Sequence, residues 1–401
     1  MRYLFLGGVY PPQLYKRILT KSKRGFQSAA DALQNALIEG LSLHNVGLNV
    51  LTAPFISSFP FGSSILFFKG SNYKHNLRID SKSISFINLP VIKEFLIAES
   101  LSDELLKWSK LDNNKKCIIV YSLQVNLLKA AIKAKLNDPD IIICSIIPDL
   151  PEYMNSNRIY SLLGLRARAL KYIYDNLKNV DYYVLLSKFM IEKLDLSEER
   201  CVIMEGIYSK TEGDSFTSFD KEEKIILYTG SLDKKYGIDN LLQAFKMIKD
   251  KNYRLWICGD GSMKKEVEVL QIYDDRIIYY GLLSREKVLF MQKKATVLVN
   301  PRLPKGDYTK YSFPSKTMEY LASGTPVILY KLDGIPVEYF QFCFVPKDLT
   351  VNSLKEKIIS VCEMSEYERT KFGRYAAAFI RKNKNPSVQT KKIINLIQEL
   401  S

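Results

Sequence analysis

The chain has 401 residues, 47% hydrophobic and 25% charged, with a formal net charge of +15. That length and hydrophobic share suit two globular domains with good cores and exclude a disordered or low-complexity protein. Six scattered cysteines without a C-x-x-C pair, and two histidines outside any ligand spacing, argue against a disulfide framework, a histidine metal site and a Ser-His-Asp hydrolase.

No apolar run reaches membrane-spanning length, so the sequence predicts a cytoplasmic protein, soluble or peripheral to a membrane. The positive charge is spread over both halves and suits phosphorylated ligands or an anionic lipid surface. With no basic arm, zinc-finger spacing or RNA-binding aromatic motif, nucleic acid is the weakest partner.

MRYLFLGG predicts a first strand ending in a turn at Gly7 and Gly8, either a close backbone approach to a ligand or a tight turn. No G-x-G-x-x-G follows, which disfavours a nicotinamide dinucleotide site. Residues 11–27 read as mobile and 28–43 as a helix. GLNVLTAPF reads as a strand, 55–75 as a long loop with exposed aromatics, and SISFINLP as a third strand. A helix over 92–110, the strand CIIVYSL, a helix over 124–136 and a strand ending at Pro148 and Asp149 continue the alternation. Strands alternating with helices predict an α/β, doubly wound parallel sheet. The basic amphipathic pattern over 158–178, with Arg158, Arg166, Arg168 and Lys171, suits a helix lying on anionic lipid; a core-packed helix with solvated charges is the blander reading.

The polar stretch near 209–222 reads as a linker. Beyond it come IILYTGSL, RLWICGDG and IIYYGLL, three strands that end at Gly230, at Gly259 and Gly261, and at Gly281, with helices over 238–250, 263–271 and 284–292 between them. In an open α/β sheet the ligand lies beyond the carboxyl ends of the strands. The stretch over 297–333 then reads as strand, long loop, helix, Gly turn and strand. Pro314 suits a helix start, Met318 and Leu321 its buried face, and Gly324 its C-cap. Ser315 and Lys316 add a hydroxyl and a cation to a helix N-terminus, a natural phosphate site, and Glu319 lies one turn further in. Helices over 351–363, 366–381 and 387–400 follow.

TGSLDKKYGIDNLLQAF, ICGDG, YYGLL and FPSKTMEYLASGTPVI, in that order, resemble the second domain of family 4 retaining glycosyltransferases; GGVYPP, IIPDLPEYM and DYYVLLSKFM carry a weaker likeness. The resemblance implies the GT-B architecture, two Rossmann-like parallel-sheet domains facing across a cleft. The boundaries expected are 1–210 for the acceptor domain, 211–222 for the linker, 223–380 for the donor domain and 381–401 for a helix crossing back to the first domain. It implies retaining, metal-independent transfer from a nucleotide-sugar, UDP- or GDP-linked, to a saccharide acceptor. The setting expected is bacterial cell-surface polysaccharide synthesis, capsule included, with a lipid-linked acceptor at the inner face of the membrane. No cofactor is expected.

By motif position the donor-binding residues are Gly8, Gly230, Ser231, Gly259, Gly261, Gly281, Leu282 and Glu319; Lys235 and the helix start Phe313, Pro314, Ser315 and Lys316 join them on their own chemistry. Asp149, Lys316 and Glu319 are the catalytic set, and Tyr10, Asp149 and Tyr311 are placed at the acceptor. The sequence departs from the family pattern at Tyr311, where a first Glu is usual. It departs also at Ser231 for Arg, at Tyr236 for Lys (with Lys235 adjacent), and at Pro148 for His. Lys316 and Lys235 are expected to supply the missing positive charge. A non-catalytic partner subunit and a GT-B sugar-nucleotide epimerase are the alternatives.

Overall fold

The computed structural model describes all residues except 24–26, 45, 77, 154–163, 210–222 and 400–401. The chain forms two units, Met1–Ile207 with Pro386–Ser401, and Tyr208–Asn385.

The first unit is built on the strands β1 (Arg2–Gly7), β2 (Gly47–Thr52), β4 (Asn72–His75), β5 (Ile79–Ser83), β7 (Lys116–Tyr121), β8 (Ile142–Ile147), β9 (Tyr182–Leu185) and β10 (Cys201–Ile203), in the sheet order β10-β9-β8-β7-β1-β2-β5-β4. All pairs are parallel except β4 with β5. Helices cover its central strands, so Tyr3, Leu4, Phe5 and Leu6, and Ile118, Ile119 and Val120, are buried without alternation, as a two-sided parallel sheet requires. The helix Pro386–Glu399 packs on the helix Ser28–Ser42, and Gln389 Nε2 donates to the Gly206 carbonyl at 2.8 Å. That return begins at Pro386 rather than 381, because the preceding helix, Glu366–Asn383, runs unbroken within the second unit. The expected linker lies outside the described residues.

Three local readings are corrected. Residues 11–27 contain a 3-10 turn, Pro12–Leu14, and a helix, Tyr15–Lys21, anchored by the single buried residue Ile18. The stretch 55–75 carries β4 and the two-residue strand β3 (Phe67–Phe68). The strand expected over 83–90 is split between the end of β5 and β6 (Phe86–Ile87), which pairs antiparallel with β3.

The second unit holds five parallel strands, β11 (Lys224–Thr229), β12 (Tyr253–Cys258), β13 (Ile277–Gly281), β14 (Val297–Asn300) and β15 (Val327–Leu329), in the order β13-β12-β11-β14-β15. The order reverses between β11 and β14, the place where an open α/β sheet holds its ligand. Apolar clusters fill both faces of this sheet, one around Phe245, Leu255 and Val299, the other around Leu227, Leu298 and Leu321.

Candidate functional site

The helix Ser315–Ser323 starts beside this switch point. Its N-cap, Pro314, has no side chain able to cap; its carbonyl accepts from the Thr317 amide at 2.8 Å, and the two amides before that, of Ser315 and Lys316, keep their affinity for an anion. Gly324 closes the helix at φ +80°, a left-handed conformation that favours glycine. The buried Tyr320 fixes the helix to the sheet, its hydroxyl accepting from the Thr229 amide at 2.7 Å at the end of β11.

One residue away, Glu319 turns toward the helix Arg285–Lys294. Its Oε1 accepts from Gln292 Nε2 at 2.7 Å and from Lys316 Nζ at 2.8 Å. Burial alone would raise the Glu319 pKa; Lys316, Gln292 and the nearby charge of Arg285 outweigh it and hold the carboxyl below its ordinary range. The result is a carboxylate kept ionised in a partly dry site, suited to accept hydrogen bonds from a diol. Gln292 and Arg285 were not legible as site residues, since Gln292 is fully buried mid-helix and matches no motif.

The strand-end glycines have an internal cause. A Cβ on Gly259 would lie 1.8 Å from the Gly230 carbonyl oxygen, and one on Gly261 would lie 2.7 Å from the Leu232 backbone. Gly259 and Gly261 thus let two loops pack backbone to backbone, whereas a Cβ on Gly230 would meet only the Tyr228 side chain, at 3.2 Å. Gly281 differs: its φ is +65° and nothing would meet its Cβ, so only backbone conformation requires glycine there. Leu282 beside it is 76% exposed. Ser231 Oγ donates to Asp233 Oδ2 at 2.8 Å, while Asp233 Oδ1 accepts from the Ser262 amide at 3.0 Å, which locks the two loops together. Lys235 is exposed, its ammonium 5.1 Å from the Tyr236 ring centroid. Ser315 is exposed and Tyr311 half-buried. Phe313 is corrected: its ring is buried against Tyr339, so it anchors the helix start and can offer a ligand only its backbone.

A residue that sequence reasoning missed is Arg302, two positions past β14. It is 6% exposed, with its guanidinium carbon 4.7 Å from the Tyr308 ring centroid and 5.8 Å from that of Tyr236. Nη2 donates to Ser312 Oγ at 3.0 Å, Nε is buried without a partner, and among the described residues no carboxylate pairs with it. A lone Arg in a polar loop carries no sequence pattern.

In the first unit, Tyr10 is corrected and Gly8 has a packing role of its own. Tyr10 is 3% exposed and its hydroxyl donates to the Phe55 carbonyl at 2.8 Å, so it is a core residue without a face for a saccharide. The Gly8 amide donates to Gln34 Oε1 at 2.7 Å, and a Cβ there would lie 2.1 Å from the Phe55 ring. The close approach that Gly8 permits is therefore to its own chain. Asp149, past the end of β8, is open to solvent on one side, and the protein packed around its carboxyl raises its pKa through desolvation.

The basic helix is described over Leu165–Asn176; Arg158 lies outside the described residues. Arg166 Nη2 donates to the Glu152 carbonyl at 2.8 Å, while Arg168 and Lys171 are exposed. Among the described residues of this stretch no large apolar side chain is exposed, because the apolar face packs on the helix Val125–Asn137. Over Leu165–Asn176 it offers lipid its charges but no greasy face.

The family model described as Glycosyl transferases group 1 matches residues 209–379, nearly the whole second unit. An uncharacterized glycosyltransferase of Methanocaldococcus jannaschii is 29% identical over 119 residues, a match covering 28% of this chain and 29% of that protein. The apo form of the lipopolysaccharide outer core galactosyltransferase WaaB superposes with a TM-score of 0.64 at 16% identity, covering 100% of both chains. HepE of Anabaena, solved in complex with UDP, gives a TM-score of 0.61 at 12% identity, again over 100% of both chains. The fold is GT-B, two Rossmann-like α/β units, and the chain resembles glycosyltransferases of that fold.

Proposed function

We propose that this chain, whose second unit belongs to the group 1 glycosyl transferases, is a retaining glycosyltransferase that uses a UDP- or GDP-sugar. The observation that carries the reading is Glu319, an ionised carboxylate held by Gln292 and Lys316 one turn inside an uncapped helix N-terminus at the sheet's switch point. In this reading Glu319 accepts from the ribose hydroxyls. The base lies along Gly259–Gly261 and Gly281–Leu283. Lys316, the first-turn amides and Lys235 meet the diphosphate charge, which grows as the glycosyl bond breaks and its electron pair stays on phosphate. Asp149 of the first unit orients the acceptor hydroxyl, and the departing phosphate takes the proton.

With the diphosphate charge met by side chains, we expect transfer to proceed unchanged in EDTA; loss of activity that magnesium restores would replace these cations with a metal. The proposed acceptor is a lipid-linked saccharide of a bacterial surface polysaccharide. We assign contact with an anionic membrane to the exposed apolar face around the β3–β6 ribbon of the first unit, which adjoins the basic helix Tyr15–Lys21.

A thermal-shift panel of nucleotide-sugars tests the donor, because a ligand bound only by the folded state raises the melting temperature. One sugar nucleotide is expected to stabilise the protein and to turn over with a lipid-linked acceptor, with the anomeric configuration kept. A panel without any stabilising sugar nucleotide refutes the reading. Binding without turnover selects the non-catalytic subunit, a reading that Tyr311 favours by standing where a carboxylate is usual.

A further inference from the structure

We infer that Arg302 is a binding residue for the diphosphate of the donor. The inference rests on the glycosyltransferase reading and adds a residue that the motif does not contain. A guanidinium that is 6% exposed has lost most of its hydration, and burial of a charge is costly unless an opposite charge compensates it. Around Arg302 the compensation is incomplete. It has one hydroxyl, Ser312 Oγ, and two tyrosine faces, and its Nε hydrogen is buried and unused. Stacked on aromatic rings and short of a counter-charge, it is prepared for an anion that arrives with a ligand.

Its position says which anion. Ser312, which holds the guanidinium, lies three residues before Ser315, the first residue of the helix whose uncapped amides face the switch point. Tyr236, on the other side, belongs to the loop after β11, and the Tyr308 hydroxyl donates to the Lys235 carbonyl at 3.0 Å. Arg302 therefore sits among the segments expected to surround the donor's phosphates. Lys316 is already paired with Glu319 at 2.8 Å and Lys235 is exposed to solvent, so a buried cation beside them adds charge where water screens it least, for a group carrying two or more negative charges.

The test is calorimetric titration of wild type, Arg302→Met and Arg302→Lys with UDP, GDP and the two monophosphates. Circular dichroism and melting temperature check each fold. Wild type is expected to bind one diphosphate more tightly than its monophosphate. Arg302→Met should weaken that diphosphate by about 10- to 100-fold, the range for hydrogen bonds to charged groups, and leave the monophosphate nearly unchanged. Arg302→Lys should keep part of the preference. If Arg302→Met weakens both nucleotides equally, or neither, Arg302 only braces the loops through its tyrosines and the inference fails while the donor reading stands. If wild type binds no nucleoside diphosphate, the donor reading fails and takes this inference with it.

Discussion

Two carboxylates carry the chemistry proposed here, and their surroundings push them in opposite directions. Glu319 is lowered by Lys316, Gln292 and Arg285 against the effect of burial, whereas burial alone raises Asp149. The signs give different pH responses. A carboxyl whose folded pKa is depressed stays ionised as pH falls past the ordinary value and fails only below it. A carboxyl whose folded pKa is raised becomes protonated earlier. Donor binding should therefore hold steady down to about pH 5, near but above the ordinary glutamate value of about 4.3. The apparent kcat/KM for acceptor should develop an acid limb at higher pH, and Asp149→Asn should remove that limb along with most activity. A single limb shared by donor binding and acceptor turnover would contradict the assignment. Glu319→Gln should weaken donor binding by about 10- to 100-fold, since it exchanges charged hydrogen bonds for neutral ones; unchanged affinity would take the ribose away from Glu319.

The helix Ser315–Ser323 is held from behind by the helix Glu366–Asn383. A Cβ on Gly373 would lie 1.8 Å from the Gly324 carbonyl oxygen, a backbone atom that cannot turn aside. Gly373→Ala must separate the two helices, with an expected cost of about 1–3 kcal/mol and a loss of donor affinity as the Ser315 end shifts. Gly47→Ala is the internal control, since nothing would meet its Cβ, and should be nearly neutral. Equal melting temperatures for the two variants would refute the clamp.

The same helix shows what the sequence could tell. Its buried Met318 and Leu321 and its Gly324 cap follow from local chemistry, although Pro314, expected at the first helical position, is instead the N-cap; the long parallel strands follow too, since burial on both faces demands unbroken apolar runs. The strands β3 and β6, of two residues each, are too short to show a period. The packing of Tyr10 and Gly8 against Phe55 was not legible, because a sequence cannot say whether a strand-end residue meets a ligand or another part of its own chain. Arg302 was invisible because its tyrosine neighbours lie 6 and 66 positions away in the chain.

At the scale of the whole molecule, the net charge of +15 is distributed with a local bias that matters. Between residues 40 and 93, Asp80 is the only acidic residue. The β3–β6 ribbon lies in that region. Its inner face is Phe68 stacked on Phe86 at 5.2 Å, both buried. An antiparallel ribbon with one solvated face normally carries polar residues there. Here the outer pair is Phe67 opposite Ile87, 54% and 41% exposed, and Leu66 and Phe61 in the adjoining chain are exposed as well. Ile92 and Phe95, three residues apart on the helix Ile92–Ser109 that packs by β6, extend the exposed apolar surface. Lys16, Arg17, Lys21 and Lys23 are exposed beside it, and Lys23 Nζ donates to the Pro60 carbonyl at 3.0 Å. Among the described residues no helix is long and apolar enough to cross a bilayer, so such a surface would dock rather than span. Each buried aromatic contributes about 1.5–3 kcal/mol and each lysine near an anionic surface about 1 kcal/mol, so the two contributions together can hold the protein on a membrane. The expected result is flotation with phosphatidylglycerol vesicles and not with phosphatidylcholine. Phe67→Ser with Phe95→Ser should reduce partitioning by at least about tenfold on that apolar term. Substitution of Arg166, Arg168 and Lys171 by Gln should cost less, because their helix turns its apolar face inward. Vesicle binding that ignores the phenylalanines would refute the ribbon as the docking face. A concentration-dependent dimer abolished by the same two substitutions would assign that face to a second copy of the chain instead.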